Sequence, residues 1–281
     1  MRFFRYHAIG NDYIVVSEAD LAAPLTPAIA RRICHRNFGV GSDGILLHLQ
    51  RADEGRFHLR IFNPDGSESE KSGNGLRIFS RYLWDRKLVR DAAFTVVTPG
   101  GAVRCVVNDR GRMVTVDMGA LTFDSARIPV AGSPREVLQE RFTIDHVELT
   151  YSCASIGNPH CVILRDALSE AETRRLGALI EVEPRFPNRT NVQFMRVLDR
   201  DNIEIQIWER GAGYTLASGS SSCAAAGVAH RLGFGDRDIA VHMPGGVIRI
   251  ELDAQFNVRM SGPVTHVADG DIDAECLEGA G

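Results

Sequence analysis

A chain of 281 residues in which 44% are hydrophobic, 24% charged and 7% aromatic has the make-up of a folded protein with room for two modest domains, which excludes collagen, coiled coil and extended disorder. Lysine and arginine total 32 against 36 aspartates and glutamates, a formal charge of −4, so the broad basic field of a nucleic-acid binder is missing. Met1 to Val16 is interrupted by Arg2, Arg5, His7 and Asp12, and no later run reaches the roughly 18 apolar residues of a spanning helix, so a soluble, cytoplasmic protein without a membrane partner is expected. In chain order, a helix is predicted across Pro27 to Asn37 and a strand over Phe57 to Phe62. Ser72 then caps a helix running through Leu76 to Trp84, and Arg104 to Asp117 reads as strand. A further helix is predicted near Ser169 to Ile180 and a strand over Ile203 to Trp208. Ser218 caps a helix through Cys223 to Leu232 that Gly233 and Gly235 end, and Gly246 to Leu252 is again strand.

The six cysteines, Cys34, Cys105, Cys153, Cys161, Cys223 and Cys276, show neither CxxC nor Cys/His finger spacing, which argues against structural zinc and against a disulfide framework. There is no G-x-G-x-x-G after a strand and no phosphate-binding loop, and Lys71 and Lys87 lack a Schiff-base context. No cofactor and no metal are expected.

The two halves echo one another. Gly10-Asn11 recurs 147 residues later as Gly157-Asn158, and Ser72-Gly73 recurs 146 residues later as Ser218-Gly219. Nine positions before each serine stands a polar residue, Asn63 and Glu209, and a turn-forming glycine lies between, Gly66 and Gly213. Any one such match is a common turn dipeptide; three in register predict a duplication into two similar domains, with a site that draws one chemical group from each half.

At each predicted helix start, the amides of Gly73 and Asn74 and of Gly219 and Ser220 have no intrahelical acceptor. Two converging helix starts would hold a carboxylate without arginine or lysine, whereas on a plainer reading the serines only cap their helices. Asn11, Asn63, Asn158, Asn191, Glu209 and Arg210 fall at loops or strand ends, where side chains can meet a small amino acid, although singly an asparagine there is more often a turn former.

Taken together, Gly10-Asn-Asp-Tyr13, Arg36-Asn-Phe-Gly-Val-Gly-Ser-Asp43-Gly44, Asn63-Pro-Asp-Gly66, Ser72-Gly-Asn-Gly75, Gly157-Asn-Pro-His160, Arg189-Thr-Asn191 and Trp208-Glu-Arg-Gly-Ala-Gly213 make the chain resemble the diaminopimelate epimerase family over nearly its whole length. The resemblance implies an α+β fold of two pseudo-symmetric domains, 1–118 with 263–281 and 119–262, each a mostly antiparallel sheet rolled around a central helix, with the active site in the cleft between them. It implies an isomerase independent of pyridoxal phosphate that inverts LL-diaminopimelate to the meso form by two-base proton transfer, on the route to lysine. It also allows a homodimer.

In that family two cysteines flank the substrate's α-carbon; here both positions are serine, Ser72 and Ser218. A thiol, with a pKa of about 8.5, ionises readily at a helix start, whereas a serine needs a neighbour to take its proton. The resemblance offers His160 and Glu209, acting on the serines or removing the α-proton themselves. By the same resemblance Asn63, Asn158, Asn191 and Arg210 recognise the distal end of the substrate and Asn11 lies near the reacting end. Cys161 and Cys223 read as packing residues rather than replacement thiols. Two other readings follow from the serines: a diverged enzyme carrying out racemisation, elimination or dehydration on a related amino acid, and an amino acid-binding protein without catalysis.

Overall fold

The computed structural model describes residues 1–51, 53 and 55–278. The chain divides into two compact units, Met1–Val116 with the chain from Gly262 onward, and Asp117–Ser261. In chain order the elements are β1 (Arg2–Ala8), β2 (Asn11–Ser17), α1 (Pro27–Cys34), β3 (Ile45–Leu49), β4 (Arg56–Phe62), β5 (Glu68–Ser69), α2 (Gly73–Asp85), β6 (Phe94–Thr98), β7 (Gly101–Asn108), β8 (Met113–Ala120) and β9 (Glu140–Ile144). They continue with β10 (Val147–Ser155), β11 (Pro159–Leu164), α3 (Glu170–Glu181), β12 (Asn191–Val197), β13 (Asn202–Glu209), β14 (Gly213–Thr215), α4 (Gly219–Arg231), β15 (Asp238–Met243), β16 (Gly246–Leu252), β17 (Asn257–Pro263), β18 (Thr265–Asp271) and α5 (Ala274–Leu277).

In the first unit the ladder runs β18, β1, β2, β3, β4, with β5 and β6 both on β4, then β7 and β8; β2–β3 and β4–β6 are parallel and the rest antiparallel. The second unit repeats this element for element as β9, β10, β11, β12, β13, with β14 and β15 both on β13, then β16 and β17; here β11–β12 and β13–β15 are the parallel pairs. The fold is therefore α+β, with mostly antiparallel sheets.

The parallel strands β2, β3, β11 and β12 are buried on both faces, whereas β4, β6, β13 and β15 alternate between buried and partly exposed residues. On one face of the first sheet, Ile14, Val16, Ile45, Leu47 and Phe62 pack with Ala30, Ile33 and Cys34 of α1. The other face takes α2, which lies against β1, β2 and β7 and buries Leu76, Ile78, Phe79 and Leu83 completely. In the second unit Leu176 and Ile180 of α3 cover Cys161, Ile163, Val192 and Phe194, while α4 lies against β10, β11, β12, β13, β15 and β16. Small residues make that enclosure possible. Ser221, Ser222, Ala224, Ala225, Ala226 and Ala229 of α4 are all fully buried, so strands approach the helix from several sides.

Two predicted elements differ from the structure. Arg104 to Asp117 is a hairpin, β7 and β8 joined by a 3-10 turn, because Asp109, Arg110 and Gly111 all take positive φ. The first helix stops at Cys34 rather than reaching Asn37: His35 leaves the helix with ψ 121°, and its Nδ1 accepts the N–H groups of Asn37 and Phe38.

Candidate active site

Ser72 is the N-cap of α2, and its Oγ accepts the Gly75 N–H at 3.0 Å. Gly73 and Asn74, between them, occupy the first helical positions, where amide hydrogens lack intrahelical partners. Asn74 donates to Asn11 Oδ1 at 2.9 Å, and Asn11 donates in turn to Asp43 Oδ2 at 2.9 Å, so both ends of the Asn11 carboxamide are held. The fully buried Arg77 donates to Asn74 Oδ1 at 2.6 Å and completes the support from beneath. Behind Asn11, Arg36 bridges Asp12 and Asp43 at 2.7 Å each, and Arg5 Nε donates to Asp12 at 3.0 Å. Burial works against ionisation of Asp12, but the guanidiniums of Arg36 and Arg5 outweigh it and hold the carboxyl below its ordinary range. Asn63 sits in the tight turn after β4, donating to Ser67 Oγ at 3.0 Å.

The second unit builds the same mouth with different side chains. Ser218, 4% exposed, caps α4 and accepts the Ser221 N–H at 3.5 Å. Asn158 stands where Asn11 stands and donates to Ser220 Oγ at 3.5 Å, Ser220 replacing Asn74. The His160 ring is completely buried and its Nε2 lies 3.0 Å from Asn158 Oδ1. Burial drives its pKa down to about 3, so the ring is neutral and Nε2 carries the hydrogen given to Asn158.

His160 Nδ1 and Gln193 Oε1 are both buried without a hydrogen-bond partner, while Gln193 Nε2 lies 3.0 Å from Ser221 Oγ. Turning the Gln193 carboxamide end for end lets its N–H reach toward Nδ1 and its oxygen accept from Ser221. The chain of contacts Asn158, His160, Gln193, Ser221 then returns to the backbone N–H that Ser218 accepts.

Asn191 is buried, donating to the Pro159 carbonyl at 2.9 Å and accepting the Arg210 N–H at 3.0 Å. Glu209 ends β13 opposite Gly213. The adjoining loop is anchored by Glu181, buried at the end of α3, which accepts the Trp208 Nε1–H at 2.7 Å, the Gly211 N–H at 2.8 Å and a guanidinium hydrogen of Arg189. The Arg210 side chain, on an exposed residue, donates to the Asn188 carbonyl at 2.9 Å.

Within the first unit the structure thus gathers Ser72, Gly73, Asn74 and Asn11, and within the second Ser218, Gly219, Ser220, Asn158 and His160. Among the described residues His160 bonds to Asn158 rather than to Ser218 directly. Four residues that position these groups carry no signal of that role in the sequence: Arg77, Glu181 and Gln193, which look like ordinary helix and strand residues, and Asp43, which lies in the Arg36–Gly44 motif. Cys161 and Cys223 are fully buried.

The fold is that of a known class of proteins: a phenazine biosynthesis protein of the PhzF family from Bacillus anthracis superposes with a TM-score of 0.68 at 16% identity, covering 97% of this chain and 98% of that one. The sequence profile of the family Diaminopimelate epimerase matches residues 3–123 and 152–267. Diaminopimelate epimerase 2 of Nostoc sp. is 56% identical over 275 residues, covering 98% of this chain and 96% of its own. Diaminopimelate epimerase of Moorella thermoacetica is 40% identical over 276 residues, covering 96% of this chain and 99% of its own. The chain belongs to the diaminopimelate epimerase family.

Proposed function

We propose that this chain interconverts LL- and meso-diaminopimelate in the cytoplasm, with Ser72 and Ser218 as the two proton-transferring groups. The observation that carries the reading is the 56% identity, over nearly the full length of both chains, to a protein named for that reaction. The like construction of the two serine-capped helix starts supports a two-base route, in which one serine takes the α-proton and the other returns a proton to the opposite face. Each helix start, Gly73 and Asn74 on α2 and Gly219 and Ser220 on α4, offers amides and a positive dipole end suited to the negative charge of a substrate carboxylate.

Serine is a poor base, so the proposal assigns Glu209 as the group that draws off a proton, and neutral His160 as the residue that fixes Asn158. Asn63, Asn158, Asn191 and Arg210 take the distal amino acid head, with Asn11 at the reacting end. No helix among the described residues is long and apolar enough to cross a membrane. The homodimer that the resemblance allows is decided by sedimentation of the purified chain.

Proton NMR with LL-diaminopimelate in deuterium oxide tests the function. Loss of the α-proton signal together with appearance of the meso isomer is the expected result. Exchange without inversion would replace this reading with a one-sided reaction, and tight binding without exchange would replace it with a binding protein.

A further inference from the structure

We propose that Tyr13 is the proton relay of Ser72, a role that rests on the two-base epimerase reading above. The Tyr13 hydroxyl lies 3.4 Å from Ser72 Oγ. Ser72 Oγ already accepts the Gly75 N–H at 3.0 Å, which fixes the oxygen and leaves its one hydrogen to be directed elsewhere.

The phenol is placed by the sheet. Tyr13 lies in β2 opposite Tyr6 and is 7% exposed. Its ring runs so close over Gly44 that a Cβ there would stand 2.6 Å from Tyr13 Cε1 and 2.6 Å from the Phe62 carbonyl oxygen. A glycine at this point is therefore what lets the ring reach the start of α2.

The duplication gives the position added meaning. Tyr13 precedes His160 by the same 147 residues that separate Asn11 from Asn158, so the two side chains are counterparts. In the second unit that position holds a buried neutral imidazole; in the first it holds a hydroxyl within reach of the capping serine. A phenol is far more acidic than an aliphatic alcohol; burial of Tyr13 works against its ionisation and the positive end of α2 works for it.

With Tyr13 as phenolate, the substrate Cα–H bond breaks and its proton goes to Ser72 Oγ while the Ser72 hydrogen passes to Tyr13 Oη. The electron pair stays on the α-carbon, delocalised into the carboxylate, and the phenol returns its proton to solvent between turnovers. Protonation from this side is the reverse. Tyr13 touches Ser72 and not the reacting carbon, so it is a positioning and relay residue.

The test is Tyr13→Phe, which keeps the ring and its packing, assayed with LL- and with meso-diaminopimelate separately in deuterium oxide. In the wild type both isomers exchange and invert. In the variant the isomer whose α-proton faces Ser72 should lose exchange about a hundredfold or more, while the other keeps exchanging without inverting. Ser72→Ala should show the same one-sided loss, and adding Tyr13→Phe to it should cost nothing further.

An unchanged variant overturns the relay, and so does an equal fall on both isomers, which is what a merely structural role would give. A wild type that exchanges neither isomer overturns the epimerase reading itself and the relay with it.

Discussion

At each helix start a serine hydroxyl accepts a backbone N–H, and what differs is the company it keeps: Tyr13 beside Ser72, and a chain of amides and a neutral imidazole behind Ser218. Replacing Glu209 by Gln should lower turnover by about a hundredfold or more, the scale of a lost general base, whereas His160→Gln should act mainly through a misplaced Asn158, by about tenfold. Unchanged kcat in both variants would dismiss both assignments. His160 also makes a thermodynamic prediction. Its ring has a pKa of about 3 in the fold against 6.5 ordinarily, so the unfolded chain binds the extra proton. The stability this confers is complete above about pH 6.5, declines as pH falls by on the order of 1 kcal/mol per unit, and is exhausted near pH 3. Urea unfolding at pH 5 and pH 7 should therefore show a smaller loss on acidification in His160→Gln than in the wild type. Asn11, Asn158 and both serines were legible because Gly-Asn and Ser-Gly are local signals repeated at one spacing. Tyr13 was not, since within Tyr-Ile-Val-Val it reads as one more buried strand residue, and only the sheet brings it to Ser72.

Helices and strands obey local rules where a cap or a breaker is written into the chain. Ser72, Ser169 and Ser218 each accept an N–H three residues on, and Gly233 follows α4 with φ 79°. Gly66 and Gly213 both have φ 84°, the left-handed turn expected of each after its strand. The break between β7 and β8 is hard to see in the sequence because apolar residues flank Asp109-Arg-Gly on both sides, although that tripeptide is turn chemistry. How the helices seat against the sheets was not legible at all, and two glycines measure it. A Cβ on Gly177 of α3 would lie 2.5 Å from Trp208 Cβ, an atom tied to the β13 backbone, so Gly177→Ala should cost about 1–3 kcal/mol and move the loop that carries Arg210. A Cβ on Gly227 of α4 would meet Leu121 Cδ1 at 2.3 Å, the far end of a side chain that can turn, so Gly227→Ala should cost less. Denaturant midpoints of the two variants check the order, and equal losses would contradict it.

For the molecule as a whole, the duplication was readable from the 146- and 147-residue spacings; the family resemblance put 263–281 with 1–118, but no spacing showed which strands pair there. Ladder partners far apart in sequence leave no periodic trace: β1, at the start of the chain, pairs with β18 near its end, Arg2 facing Asp271. In the second unit the corresponding pair is a hairpin, β9 and β10, closed by Asp145 and His146 at φ 47° and 62°. The terminal Met1 amine donates to the Ile272 carbonyl at 2.9 Å, and the Ile272 N–H returns to the Met1 carbonyl at 2.9 Å, so the first unit has two chain segments lying together where the second has a tight turn. The outermost pair of the first sheet is therefore held without a covalent turn, whereas that of the second sheet has one. A circular permutant, with residues 1 and 281 of this sequence joined by a short flexible linker and the backbone opened between Asp145 and His146, should keep every ladder in both sheets. It should fold to the same circular dichroism spectrum and retain proton exchange within about tenfold of the original chain, and a permutant that is unfolded would show that the covalent turn is needed to assemble the second sheet.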